Sequence, residues 1–139
     1  MSAPKLEPGQ SLADCPATKE FRERHEQVAR AAEEHAAQRQ HAKGKGTARE
    51  RIDQLLDNGS FLEVGQFSGS GVGANAKPSG VVTGFGTIDG RQVAVYSQDF
   101  SVQGGSLGSV EGDKIVRLLD DALRLRIPII GLIDSGGAK

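Results

Sequence analysis

The clearest ordering of apolar and polar positions lies in the last third of the chain. RQVAVYSQDF reads as a strand, SVQGGSLGSVEGDKIVRLLDDALRLR as a glycine loop leading into an amphipathic helix and IPIIGLI as a continuously apolar strand of the kind buried on both faces. Within the helix, Ile115, Leu118, Leu119, Ala122 and Leu123 recur at spacings of three and four, which predicts one core-facing stripe. Pro128 blocks its continuation. A strand, a helix and a strand at this spacing predict a crossover unit with parallel strands. Just upstream, GVVTGFGTI and RQVAVYSQDF are β-rich runs joined by Asp89-Gly90, a tight hairpin turn. Gly84 and Gly86 inside the first run predict a bulge or a close backbone contact.

Earlier segments are more polar. Phe61–Phe67 reads as a short strand and Ser68–Ser79 as a loop. In TARERIDQLLDNGSF, Thr47 and Glu50 have the spacing of a capping box, and Ile52, Leu55 and Leu56 form the buried stripe. Asn58-Gly59 offers a left-handed stop. Residues 17–40 are dense in Ala, Glu, Arg and Gln and predict a charged helix with a thin apolar stripe of Phe21, Val28, Ala32 and Ala36. A helix this polar lies along a surface or against a partner. The organisation expected is a disordered N-terminus over 1–16, a helical arm with the capped short helix over 17–58, and an α/β unit over 59–139.

Composition narrows the function classes. The 139 residues carry a net charge of −1, with 37% hydrophobic, 25% charged and 4% aromatic residues, as in a soluble domain or part of one. No global charge points to nucleic acid or to a membrane surface. Nineteen glycines exceed the usual share of about 7%. Most follow residue 58, among the strands, where they mark turns and close approaches. Cys15 is the single cysteine, which excludes an internal disulfide framework and a thiolate metal site. No apolar run reaches the roughly 18 residues of a membrane span, and the N-terminus lacks an apolar signal core, so a cytoplasmic address is expected. His25 and His35 share no tight face and read as solvated side chains; no metal is expected.

Candidate chemistry sits in two glycine loops, each where a strand ends, the place where open α/β layers present unpaired backbone N–H groups. Gly104, Gly105 and Gly108 follow the first strand, with Ser106 as the expected N-cap of the next helix. Gly136, Gly137 and Ala138 follow the second. Ser-His-Asp, Cys-His and phosphate-loop patterns are absent from the sequence. What remains is amide donation to an oxyanion, where losing one donor typically costs about 3 kcal/mol. The competing reading makes both loops tight turns with glycine for steric reasons. Lys43, Lys45, Arg49 and Arg51 crowd the start of the short helix. They read either as a solvated basic face or as an anchor for an anionic tail such as a nucleotide phosphate.

HAKGK with TARERIDQLLDNGSF, then SGVVTGFGTIDGRQVAVYSQDFSVQGGSLG, then IPIIGLIDSGGAK, in that order, resemble the N-terminal part of the carboxyltransferase (beta) subunit of biotin-dependent acyl-CoA carboxylases, of the propionyl-CoA carboxylase beta-chain type. The resemblance covers about residues 40–139. It implies the N-terminal part of a crotonase-like (ββα superhelix) carboxyltransferase domain, α/β in class and preceded by a charged α-helix. It implies transfer of a carboxyl group from carboxybiotin to the α-carbon of a short-chain acyl-CoA such as propionyl-CoA, through an enolate held by backbone amides. The site residues it implies are Gly136, Gly137 and Ala138 for catalysis, with Gly104, Gly105, Ser106, Lys43, Lys45 and Arg49 binding substrate. Biotin would be carried by a partner, the biotin carboxylase/biotin carboxyl carrier subunit, and the full-length subunit would form a homo-oligomer. Gly46, Gln103, Ile133 and Lys139 depart from the family pattern, and Gln103 replaces a Phe beside the acyl pocket. A segment of this length is expected to be a fragment, inactive alone. The alternative is a non-catalytic truncated module that binds a carboxylase partner subunit or CoA.

Overall fold

A computed structural model of the chain describes residues 11, 15–70 and 77–137. Most of the expected N-terminal disordered segment lies outside them. The elements are α1 (Pro16–His41), α2 (Ala48–Leu55), β1 (Leu62–Val64), β2 (Gly69–Ser70), β3 (Lys77–Pro78), β4 (Val81–Ile88), β5 (Arg91–Gln98), α3 (Ser109–Leu125) and β6 (Ile129–Leu132). Four strands form one sheet in the order β1-β4-β5-β6. The β4–β5 hairpin is antiparallel and runs unbroken from Val81↔Gln98 to Ile88↔Arg91, so the glycines of β4 mark close contact and not a bulge. β5 and β6 are parallel, as the crossover predicts. Asp89 and Gly90 both take positive φ (50° and 74°), the geometry of the tight turn read from the sequence. β2 pairs with β3 inside the stretch expected to be loop.

Strand alternation divides the core. Val82, Val93 and Val95 face α2 and pack with Ala48, Ile52 and Leu56. Ala94 faces the other way, where Leu118 and Ala122 of α3 meet Phe85, Tyr96 and Ile129. Gly86 lies on the α2 face because Leu56 occupies the space a Cβ would need, and Gly84 leaves room for the Phe61 ring and the Leu62 carbonyl.

Three local expectations need correction. α2 does start with the capping box, Thr47 Oγ1 accepting from the Glu50 N–H (3.1 Å) and Glu50 Oε2 from the Thr47 N–H (2.8 Å). It ends at Leu55, though, with Leu56 extended as C-cap, and Gly59 (φ 72°) turns the following loop without stopping the helix. α3 begins at Ser109 with Gly108 as its N-cap residue, not Ser106, because Glu111 Oε2 reaches back to the Gly108 N–H (2.9 Å). The core face of α3 is also rotated. Leu118 and Ala122 are buried, but Leu119 and Leu123 are 44% and 78% exposed. The buried positions nearer its start are Glu111 and Lys114. Glu111 Oε1 accepts from the Gly80 N–H (3.1 Å), while Lys114 Nζ donates to the Val81 carbonyl (2.6 Å) and to Ser79 Oγ (2.9 Å). These bonds fix α3 to the start of β4.

The long charged helix α1 docks along this same unit. Ala36 and Gln40 are buried, Arg39 Nη1 donates to the Ser101 carbonyl (3.0 Å), and Phe21 meets Phe67 edge-on at 5.8 Å.

Candidate functional site

β5 and β6 run side by side and end together, with Ser97 opposite Leu132 as the last ladder pair. The loop after β5 is shaped first by Asp99. Its Oδ1 accepts from the Ser101 N–H (2.9 Å) and hydroxyl (2.6 Å), a side-chain turn that reverses the chain. A 3-10 turn over Gln103–Gly105 follows, in which Gln103, Gly104 and Gly105 all take left-handed φ (50°, 69° and 64°). Two of these suit glycine; Gln103 holds a conformation that L-residues seldom adopt.

The second loop, Ile133–Gly137, is bound to the first backbone to backbone. The Gly136 N–H donates to the Gly104 carbonyl (2.9 Å), and the Leu107 N–H to the Gly137 carbonyl (3.3 Å). A Cβ on Gly105 would land on the Asp134 carbonyl, so the loops touch only because residue 105 has no side chain. The Gly137 N–H donates to Ser135 Oγ (3.0 Å). Two amides of the predicted oxyanion trio, Gly136 and Gly137, therefore already have acceptors, and Ala138 lies outside the described residues.

The basic segment between α1 and α2 reaches the same end of the sheet. Lys43 Nζ and Lys45 Nζ stand 4.8 Å and 5.2 Å from the centroid of the Phe100 ring, close enough for cation–π attraction. Lys45 Nζ also pairs with Asp134 Oδ1 (3.0 Å), tying this segment to the second glycine loop. A cavity of about 180 Å³ opens between the end of α1 and the loop after β5, bounded by Arg39, Gln40, Lys43, Phe100 and Gly104, with Ser101 and Gln103 completing the wall. Among the described residues that line it, Arg39 and Lys43 are the charged ones, which suits an anionic ligand. Gln40 is 2% exposed and its Oε1 has no hydrogen-bond partner among the described residues.

Lys43, Lys45, Gly104, Gly105, Gly136 and Gly137 thus converge, but Arg49 does not. Its Nη2 donates to Glu63 Oε1 (2.9 Å) and its Nε lies 3.7 Å from Glu33 Oε2, an ion-pair bridge joining α1, α2 and β1. The cationic crowding at the start of α2 is relieved by these carboxylates, and by Arg51 donating to the Gln98 carbonyl. Ser106 Oγ donates to the Gln103 carbonyl and stabilises the turn. His41 at the end of α1 bonds Glu50 (2.8 Å); that bond and the Thr47 N–H hold the Glu50 carboxyl below its ordinary range. Sequence reading missed Gln98, Asp99 and Phe100. The available signal was a polar pair followed by an aromatic at the exit of an apolar strand.

The family model of the carboxyl transferase domain matches residues 39–139. The propionyl-CoA carboxylase beta chain of Saccharopolyspora erythraea is 53% identical over 125 residues, which are 86% of this chain and 23% of that protein. A putative propionyl-CoA carboxylase beta chain of Bacillus subtilis is 54% identical over 107 residues, 75% of this chain and 21% of that one. The chain therefore spans about a quarter or less of the length of these relatives. Among solved structures, transcarboxylase 12S with hydrolysed methylmalonyl-coenzyme A bound superposes with a TM-score of 0.78 at 37% identity, over 96% of this chain and 27% of that one. With most of its length matched by that family model and its fold shared with that structure, the chain belongs to the carboxyl transferase domain family.

Proposed function

We propose that this chain forms the part of an acyl-CoA carboxyltransferase that receives the acyl thioester. The whole enzyme moves a carboxyl group from carboxybiotin to the α-carbon of a short-chain acyl-CoA such as propionyl-CoA. The observation that carries the reading is a cavity lined by Arg39 and Lys43 against the first glycine loop, which is itself bonded backbone to backbone to the second at one end of the sheet. Removing a proton from the α-carbon leaves negative charge on the thioester oxygen, and fixed N–H donors in a site that excludes water stabilise that charge. The loop of Gly136, Gly137 and Ala138 is assigned to the enolate, with the Gly136 and Gly137 amides holding the loop in place. Lys43 and Lys45 supply long-range attraction for the phosphates of CoA. The proposal leaves Arg49 out of substrate binding, because Glu63 and Glu33 hold it away from the glycine loops, whereas Lys45, though paired with Asp134, stands beside the Phe100 ring next to them.

Biotin is assigned to a carrier on a partner subunit, in an oligomer of the full-length subunit, and the reading includes a cytoplasmic location. Transcarboxylase 12S, whose structure is described as a hexamer with methylmalonyl-coenzyme A bound, supports both the substrate class and the assembly. The test is calorimetric titration of the chain with propionyl-CoA. Saturable binding, weakened at least tenfold by the pair Lys43→Glu and Lys45→Glu and unaffected by Arg49→Gln, is expected. The isolated chain is expected to show no carboxyl transfer from carboxybiotin. Absence of propionyl-CoA binding, or turnover by the chain alone, contradicts the proposal.

A further inference from the structure

We propose that Gln98 is the positioning residue that locks the two glycine loops into one unit; its relevance to a ligand rests on the acyl-CoA reading above. The β5–β6 ladder ends at Ser97 opposite Leu132. One residue further the side-chain amide of Gln98 takes over as the next rung. Its Oε1 accepts from the Asp134 N–H (3.1 Å), and its Nε2 donates to the Gly105 carbonyl (3.4 Å). Both contacts cross between the loops, one to each. Gln98 is 2% exposed, so water does not substitute for either bond.

The orientation of the amide is dictated by its partners. Asp134 offers an N–H and Gly105 offers a carbonyl, so only one assignment of the oxygen and nitrogen satisfies both. A single neutral side chain carrying a donor and an acceptor side by side is required, which at neutral pH an amide supplies, and Asn is one methylene shorter than Gln. The two loop-to-loop backbone bonds, Gly136 to Gly104 and Leu107 to Gly137, lie beyond this rung and depend on the spacing it sets. The Gln98 backbone carbonyl meanwhile accepts from Arg51 Nη2, which fixes its own position to α2.

The test is amide hydrogen exchange on the full chain by NMR, reported as protection factors. Gln98→Leu is expected to lower protection at Asp134 and Gly136 at least tenfold while Ala94 and Val95 in mid-β5 keep theirs. Gln98→Glu retains an acceptor for the Asp134 N–H but faces the Gly105 carbonyl with another acceptor. Where its carboxyl is ionised it is expected to keep Asp134 protected and release Gly136. As pH falls and the carboxyl takes up its proton, which burial beside the Gly105 carbonyl moves above the ordinary carboxyl range, Gly136 protection is expected to return. That acid rescue is a signature that loss of packing alone does not produce, and it decides the matter if the leucine variant fails to fold. Unchanged protection at Asp134 and Gly136, or a uniform loss across the sheet, overturns the lock. Propionyl-CoA titration is read separately. A wild-type chain that binds while Gln98→Leu binds at least tenfold more weakly supports a positioning role, and equal binding by both overturns it. A wild-type chain that does not bind removes the acyl-CoA reading, with the exchange data still deciding the lock.

Discussion

Substituting Gly105 and Gly104 separately by alanine isolates the contact between the glycine loops. Both residues have left-handed φ (64° and 69°), so each alanine meets the same backbone penalty of about 1–2 kcal/mol. Their surroundings differ. A Cβ at Gly104 meets nothing within 4 Å, whereas one at Gly105 overlaps the Asp134 carbonyl oxygen, a backbone atom that yields only if the second loop retreats. Retreat breaks the Gly136-to-Gly104 bond and strains the Gln98 bridge, each worth about 0.5–1.5 kcal/mol net. Gly104→Ala is therefore expected to destabilise by about 1–2 kcal/mol. Gly105→Ala is expected to cost about 2–5 kcal/mol once the broken bonds are added to the same backbone penalty. Guanidinium unfolding followed by circular dichroism measures both, the comparison resting on midpoint shifts at constant slope. Equal destabilisation by the two alanines would show that the loops are not in contact, and the packed-loop reasoning would fall.

Other outcomes follow from the same packing. Desolvation pushes the Lys114 ammonium down to about 8 from 10.5, with Arg49 adding to the shift and Glu63 and Glu111 opposing it, so the unfolded chain binds more protons between those values and stability rises with pH across that window. The penalty fully present below the lower value is about 3 kcal/mol, and Lys114→Met is expected to flatten the rise between pH 7 and 10 in guanidinium midpoints. Asp57 accepts from Thr87 Oγ1 (2.6 Å) and from the Gly90 and Asp89 N–H groups (2.9 Å each), which hold its carboxyl below 3.8. Its contribution is present above that ordinary value and is lost as pH falls through the depressed one, so Asp57→Ala is expected to flatten the acid arm of the stability profile. On α3, Leu118→Ala is expected to cost about 2–5 kcal/mol. The pair Leu119→Gln and Leu123→Gln, on the exposed side, is expected to stay within about 0.5 kcal/mol per site in thermal unfolding; the reverse order would mean the core face is misplaced.

Features set by neighbours in sequence were the ones legible beforehand. Thr47 and Glu50 cap α2 through bonds that span one helical turn, and Asp89-Gly90 closes a hairpin whose strands adjoin it. The glycine loops were legible as loops for the same reason. What they do to each other was not. The reach of Gly136 to Gly104, and of Gln98 to Asp134, spans more than 30 residues and depends on β5 and β6 ending together. Ser106 looked like a cap because its side chain suits one. Glu111 bonding back to Gly108 sets the start of α3 instead, and Ser106 turns inward to Gln103. Leu119 and Leu123 repeat with the same period as Leu118, and periodicity does not show which edge of an apolar stripe has a neighbour. Arg49 appeared to be one cation among four; the carboxylates that claim it, Glu33 and Glu63, come from α1 and β1.

The most direct measurement is amide chemical-shift mapping of the chain during titration with propionyl-CoA. A thioester cradle at the ends of β5 and β6 predicts saturable shifts concentrated at Gly104, Gly105, Gly136 and Gly137, with side-chain changes at Lys43 and Lys45. Shifts that cluster instead around the Phe21 and Phe67 rings, where α1 meets the segment after β1, or that never saturate, contradict it.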